Sequence, residues 1–402
     1  MRFLIVLIGC SFLHAQDTWP RFRGEGGRGV SEVEVPVKLD ESTRRWAVKL
    51  PGPGSSSPVV WKNHLFITSE DTEKQTVTLS CLDSLTGKPC WEAVKKVGQY
   101  HMHRFNNTAA ASPVANENLV VLSWFSAEKK MCMLSAFDHA GEELWEIELG
   151  AFKGKHGPAL QPELHEGSVL MTHLHQDGGY VGSFDCKTGE TIWKTPYPGN
   201  DVSYVTPVVH QGEVIVAAKS IGVRGLDFKT GKETWALPGT MKARTIVSPF
   251  NLIGKGGEAL FAVGCKNGVY FAVRPGAEPE IAWRMKGKTP YVPTPVSDGA
   301  TVFSISDGGS LTALNARTGE VSYTKNLKAN FYASPLLLSG KLYALTREGE
   351  MVVSEVSGDY KELARSPLKP GPECQWADAT PAVANDGIYV RLGARMDFYS
   401  AK

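Results

Sequence analysis

An all-β fold, a ring of eight four-stranded antiparallel blades, is what this sequence predicts, and three observations predict it. A turn phrase recurs: CLDSLTGKPCW (81–91), AFDHAGEELW (136–145), VGSFDCKTGETIW (181–193), GLDFKTGKETW (225–235) and ALNARTGEVSY (313–323), with a weaker copy ending at Trp283. A proline opens the strand that follows each turn, at Pro58, Pro113, Pro158, Pro207, Pro249, Pro295, Pro335 and Pro381, mostly as Ser-Pro or Thr-Pro. Between these marks the apolar residues alternate with period two, and no stretch shows the 3.6-residue period of a helix. Self-similar units of roughly 40–50 residues with four strands each are propeller blades.

The first strand-forming segment, RRWAVKL (44–50), carries Trp46 ahead of Pro58 just as Trp193 stands ahead of Pro207. It reads as an outer strand without a blade of its own. Blade 1 opens with SPVVWKNHLFITS (57–69) and ends in the turn phrase at Trp91; blades 2 and 3 open at Pro113 and Pro158 and end at Trp145 and Trp193. Blade 4 opens with TPVVHQGEVIVAA (206–218) and ends at Trp235, blade 5 runs from Pro249 to Trp283, and blade 6 from Pro295 to Tyr323. Blade 7 opens with SPLLLSGKLYAL (334–345). Blade 8 holds ATPAV, GIYVRL and MDFYS and then the chain stops, so residues 44–50 are expected to supply its missing strand and close the ring. Closure removes the sheet edges at which such a stack would aggregate. The division expected is a leader at 1–15, an N-terminal segment at 16–43 and a single propeller domain at 44–402.

The turn chemistry has a physical reason at each position. The Asp before the turn accepts from backbone N–H groups two residues on, and the Gly takes the positive φ of a tight hairpin. Proline is tolerated as the first residue of a strand, where a missing N–H costs little. The terminal Trp gives each outer strand a large ring to bury.

Composition and charge narrow the functional classes. The 402 residues suit one large all-β domain, and 43 basic against 42 acidic residues give no field that would draw nucleic acid or a charged membrane. The first residues, MRFLIVLIGCSFLHAQD, combine one Arg, a short apolar run and the small Ala15, which reads as an export signal cleaved after Ala15 and too short to span a bilayer. A lipoprotein reading competes, because Leu7-Ile8-Gly9-Cys10 has the form of a lipidation box. Without the leader six cysteines remain, Cys81, Cys90, Cys132, Cys186, Cys265 and Cys374, and Cys81 with Cys90 is the candidate disulfide because the two flank one hairpin. P-loops, dinucleotide fingerprints, basic tracts and a G-x-S-x-G elbow are all absent from the sequence.

In a propeller the linkers from one blade's outer strand to the next blade's inner strand converge on one mouth of the central channel, so a binding site is sought there. Those linkers, 99–111, 150–157, 199–205, 239–247, 287–293, 328–333 and 371–379, are rich in Arg, Lys, His, Tyr and Asn. The candidate ligand-binding residues are His101, His103, Arg104, Asn106, Asn107, Lys155, His156, His173, His175, Tyr204, Arg244, Tyr291, Tyr332 and Trp376. They suit a polar or anionic ligand, or a sugar stacked on a ring. Two His-x-His spacings make His101, His103, His173 and His175 candidate metal ligands, and His156 of the same sector joins them, although no Cys or carboxylate apart from Asp177 stands beside them. The carboxylates Asp83, Asp138, Asp185 and Asp227 occupy the repeated turn position and read as structural.

The turn phrase ending in Trp, the proline-led strands and the opening TWPRFRGEGGRGVS (18–31) resemble the PQQ-like (pyrroloquinoline quinone) β-propeller repeat proteins, especially their exported, single-domain, planctomycete-type members. Two groups share this repeat. The quinoprotein dehydrogenases hold the quinone and a Ca²⁺ over the ring axis with an Asp as base; this chain is shorter, lacks adjacent cysteines and offers no evident Glu, Asn and Asp set for the metal. The BamB-like propeller of the outer-membrane barrel-assembly machine lacks a cofactor and serves as a binding scaffold. The resemblance implies an exported, periplasmic or secreted, non-enzymatic scaffold without cofactor. It is expected to be a monomer without a transmembrane span, binding an envelope protein, a glycan or a small polar ligand. The alternative is a quinone- or metal-dependent oxidoreductase using the same mouth.

Overall fold

A computed structural model describes residues 17–100, 102–103, 106–253, 259–368 and 376–401. The expected leader, the lipidation candidate Cys10, and His101, Arg104 and Cys374 lie outside these residues.

Eight sheets of four antiparallel strands form the ring, and the only helical element among the described residues is a single turn at Glu25–Gly27. Blade 3 shows the pattern that sequence prescribes. Its strands Glu163–His165, Ser168–His175, Gly178–Asp185 and Thr191–Tyr197 pair in chain order, with a bulge after Ser183. The second and third strands of each blade are sealed on both faces between neighbouring sheets, and the outer strand alternates buried and exposed residues.

Closure occurs as expected. Arg44–Lys49 pairs with Arg395–Ser400, placing Trp46 opposite Phe398 and Lys49 opposite Arg395. The N-terminal segment does more than lead into this strand. Thr18–Trp19 extends the inner edge of blade 1, Pro20 accepts a backbone bond from Ala115 of blade 2, and Val30–Ser31 pairs in parallel with Leu337–Leu338 of blade 7. Between these points the segment crosses the ring axis. Arg21 forms an ion pair with Glu163 of blade 3 at 2.5 Å. The buried Arg23 donates to Thr294 O and Pro295 O of blade 6 at 2.5 Å each, and to its own Gly27 O at 2.9 Å. Val33, Val35 and Leu39 then pack into the core shared by blades 1, 7 and 8.

Two devices tie blade to blade. In the first, the outer-strand Trp lies on the turn glycine of the next blade, except in blade 4, where Trp235 lies on Gly225 of its own blade. Gly189 has φ +74°, and a Cβ there would lie 2.8 Å from Trp145 of blade 2, whose indole N–H donates to Cys186 O at 3.0 Å. The same contact joins Trp46 to Gly87, Trp91 to Gly141, Trp193 to Gly231 and Trp283 to Gly319. The turn glycine is therefore required twice, for its backbone sign and for its missing side chain. In the second device, the residue before each proline passes its hydroxyl to the preceding blade. Ser57 N donates to Ser112 Oγ, Thr206 N to Ser248 Oγ, Ser248 N to Thr294 Oγ1, Thr294 N to Ser334 Oγ, Ser334 N to Thr380 Oγ1 and Thr380 N to Ser57 Oγ, at 2.9–3.2 Å. This belt explains why the prolines follow Ser or Thr. It is interrupted at blade 3, where Gly157 precedes Pro158.

Candidate functional site: the axial funnel

The linkers that lead into the proline-opened strands bound a funnel of about 460 Å³ on the ring axis. The hydroxyl belt encircles it, and Phe22 of the crossing N-terminal segment contributes to its lining from below. On the far side of that segment Arg21, Glu25 and Arg28 border a separate cavity that reaches the opposite mouth. The channel is thus divided by the chain's own beginning.

Of the candidates read from the sequence, His103, Asn106, His156, Tyr204, Arg244, Tyr291 and Tyr332 line this funnel together, although they come from six linkers. Backbone carbonyls fix several of them. Asn106 donates its amide to His156 O at 2.6 Å, and Tyr204 donates its hydroxyl to Gly157 O at 2.9 Å. That second bond crosses the blade 3 gap in the belt. The rings of His103 and His156 lie 4.2 Å apart. Arg244 donates to the Tyr291 hydroxyl, 3.0 Å from Nε, and its guanidinium also lies over that ring.

Other candidates are placed elsewhere. Asn107 stands behind the wall, donating to Ser55 Oγ at 3.0 Å, and Lys155 is exposed on its linker. Trp376 packs its ring 4.5 Å from the Arg347 guanidinium, which Tyr332 covers on another side at 3.8 Å. His173 and His175 were expected at the mouth, but neither lines the funnel. His173 is sealed inside blade 3, opposite Tyr180 in the ladder, and His175 packs against it edge-on at 5.1 Å. Position in the blade is the reason: His173 lies on a second strand whose two faces are both covered by neighbouring sheets, and its ring approaches Gly150 of blade 2 and not the channel. Among the described residues the candidate histidine donors therefore fall into two separate pairs, His103 with His156 and His173 with His175. Cys81 and Cys90 are free thiols whose sulfurs lie within 4.8 Å of each other.

The structure adds residues that were not singled out. Lys266 reaches the funnel from the hairpin between the second and third strands of blade 5, a turn and not an inter-blade linker, and lies over Tyr291. Gln161 enters from blade 3 and accepts from the Thr206 hydroxyl. Asp378 is the only carboxylate lining the funnel among the described residues, and Arg347 holds both its oxygens at 2.8 and 2.9 Å.

The electrostatic balance of the funnel is positive. Asp378 is engaged by Arg347, while Arg244 and Lys266 approach the same aromatic wall. The effect is legible in His156. Partial burial, followed by the charges of Arg244, His103 and Lys266, pulls its imidazole down to about 4, so it is neutral at pH 7. A wall of one net sign around a concave floor concentrates ligands of the opposite sign.

A family model described as "Outer membrane protein assembly factor BamB" matches residues 130–278 and 272–390. No curated protein matches the sequence. Among solved structures, BamB from Moraxella catarrhalis superposes with a TM-score of 0.63 at 14% identity, covering 90% of this chain and 98% of that one. Quinohemoprotein alcohol dehydrogenase from Comamonas testosteroni superposes with a TM-score of 0.65 at 13% identity, covering 95% of this chain and 80% of that one. Identities this low establish a common fold and nothing about activity. Because the matched stretch spans more than half of the chain, this protein belongs to the propeller family whose model carries the BamB description.

Proposed function

We propose that this chain is an exported, non-enzymatic binding propeller that holds a small anionic group, free or carried on a larger envelope partner, in the axial funnel. The observation that supports this reading is the convergence of Arg244, Lys266, His156, Tyr204 and Tyr291 on one cavity whose single described carboxylate is tied to Arg347. The family supports a scaffold role, and among the described residues no helix is long and apolar enough to cross a membrane. Tyr204 and Tyr291 offer flat faces and hydroxyls beside the cations, a setting suited to carboxylates, phosphates or acidic sugars.

The quinoprotein alternative gains no support from the donor set. A Ca²⁺ beside a quinone calls for several hard oxygen ligands. The described lining offers one carboxylate, and both its oxygens already accept from a guanidinium. These residues do not fit the group.

Calorimetric titration with phosphate, citrate and a uronic acid tests the binding reading. Saturable binding that weakens about tenfold or more in Arg244→Ala and in Lys266→Ala is expected, since a hydrogen bond to a charged group contributes roughly 1.5–3 kcal/mol. Binding indifferent to both substitutions, or no binding of any of the three anions, would overturn it.

A further inference from the structure

Blade 1 carries a side-chain cluster that the funnel does not use. His64 opens its second strand, His64–Asp71; Cys81 lies in the third, Thr76–Asp83; Cys90 lies in the fourth, Pro89–Lys96. One ring nitrogen of His64 and the two sulfurs all lie within 4.8 Å of one another, the only such trio of His, Cys or carboxylate donors among the described residues.

The repeat shows why these three positions meet. In the ladder, Phe66 is opposite Cys81 and Cys81 is opposite Trp91, with a bulge between Cys81 and Leu82 that re-aims Cys90. The equivalent register in blade 4 sets Ile215 opposite Gly225 and Gly225 opposite Trp235, so Glu213, Gly225 and Thr234 are the counterparts of His64, Cys81 and Cys90. There Thr234 donates to Glu213 at 2.6 Å, so the outer two positions come into bonding contact in another blade as well. Blade 2 fills the same positions with Leu119, Ala136 and Leu144, blade 3 with Ser168, Ser183 and Ile192, and blade 6 with Thr301, Ala313 and Ser322. Of these blades, only blade 1 places nitrogen and sulfur donors at all three.

A fourth residue sets the tautomer. His139, from the turn of blade 2, stacks on His64 with ring centroids 5.3 Å apart, and their Nδ1 atoms are 3.2 Å apart. His139 Nε2 lies 2.8 Å from Asn116 O, an oxygen that can only accept, so that nitrogen carries the proton. In the neutral ring its Nδ1 then accepts, which requires His64 Nδ1 to donate. The lone pair of His64 is thereby left on Nε2. A metal-binding imidazole commonly has its other ring N–H held in this manner by a neighbouring acceptor.

We propose that His64, Cys81 and Cys90 form a Zn²⁺ site on the flank of blade 1, positioned by His139. Two thiolates and one imidazole are a soft donor set that selects Zn²⁺ over Ca²⁺ or Mg²⁺. With Zn–S near 2.3 Å and Zn–N near 2.0 Å, tetrahedral donors stand about 3.5–3.8 Å apart, so only a modest contraction is needed. Cys90 is exposed, which leaves the fourth position to water. Binding converts two thiols to thiolates and releases two protons to solvent.

The test uses the purified full chain with its thiols reduced, titrated with Co²⁺ as a spectroscopic substitute for Zn²⁺. One equivalent should give tetrahedral d–d bands and a thiolate-to-cobalt charge-transfer band, and Zn²⁺ should displace it. Cys90→Ser, at an exposed position, should keep the far-UV circular dichroism and lose the charge-transfer intensity. His139→Gln, which leaves all three ligands in place, should weaken Co²⁺ binding by about 10–100-fold. A reduced protein without a thiolate band, or a band that survives in Cys90→Ser, would overturn the site. So would a Cys81–Cys90 disulfide in native protein that takes up no metal after reduction.

Discussion

His173 is buried to 2% exposure in blade 3, and neither of its ring nitrogens has a hydrogen-bond partner. Burial, reinforced by His175 and Lys194, pulls its imidazole down to about 3, so the folded protein holds it neutral. The unfolded chain takes up that proton near 6.5. Between those values the unfolded state binds more protons, so this residue makes stability rise with pH across the window and fall on acidification. Denaturant titrations between pH 7 and 4 should show progressive weakening, and His173→Leu should flatten part of it. An unchanged pH slope in that variant would remove His173 as the cause. Gly189 poses a different constraint at the same scale. Gly189→Ala places a Cβ 2.8 Å from Trp145 at φ +74°. A loss of roughly 1–3 kcal/mol is expected from the backbone strain alone, read as a lower urea midpoint at an unchanged slope.

The N-terminal segment is the element whose role the chain order conceals. It binds to blades 1, 2, 3, 6 and 7 on its way across the axis, and it separates the funnel from the opposite cavity. Arg23 is its anchor. Its guanidinium, buried and lowered to about 9 by that burial, still carries its proton at pH 7 and donates to carbonyls of blade 6 and of its own turn. Arg23→Met keeps the stem and removes the donors, leaving those carbonyls to be satisfied by water or not at all. Each buried group left unpaired costs roughly 1–3 kcal/mol, so a lowered melting temperature is expected. The floor under the funnel should loosen as well, and hydrogen exchange at Ala115 and Leu337, whose N–H groups bond Pro20 and Gly29, should accelerate. Protection equal to the parent protein at both amides would contradict the anchoring role.

For the whole molecule, the closing blade decides whether the ring is one cooperative body. Trp46 donates to Ser84 O at 3.1 Å, lies on Gly87 and contacts Tyr389 and Phe398. It therefore joins blade 8 to blade 1 from a strand contributed by the other end of the chain. Trp46→Ala should cost about 3–5 kcal/mol, the usual loss for truncating a large packed ring. It should also expose the Arg395–Ser400 strand to exchange ahead of the interior blades. A variant that unfolds with the parent midpoint would show that closure rests on other contacts.

The sequence by itself determined the number of blades, their boundaries and the strand that closes the ring. Those follow from local rules: period-two alternation, a turn that needs Asp and Gly, and a proline confined to a strand's first residue. It also marked the mouth, because every inter-blade linker ends there, and seven of its candidates meet in one funnel. Only the tertiary structure decided what depends on residues distant in the chain. His173 reads like His103 in the sequence but lies on a second strand whose two faces are both covered by neighbouring sheets, whereas His103 lies in a linker at the funnel. Lys266 enters the funnel from a hairpin that no linker rule selects. The threading of residues 17–43 through the axis and the stacking of His139 on His64 arise from contacts between blades, while His64, Cys81 and Cys90 meet through the pairing of three strands within blade 1. Local propensity carries no information about such contacts, because they depend on strand register and on the packing of one blade against the next.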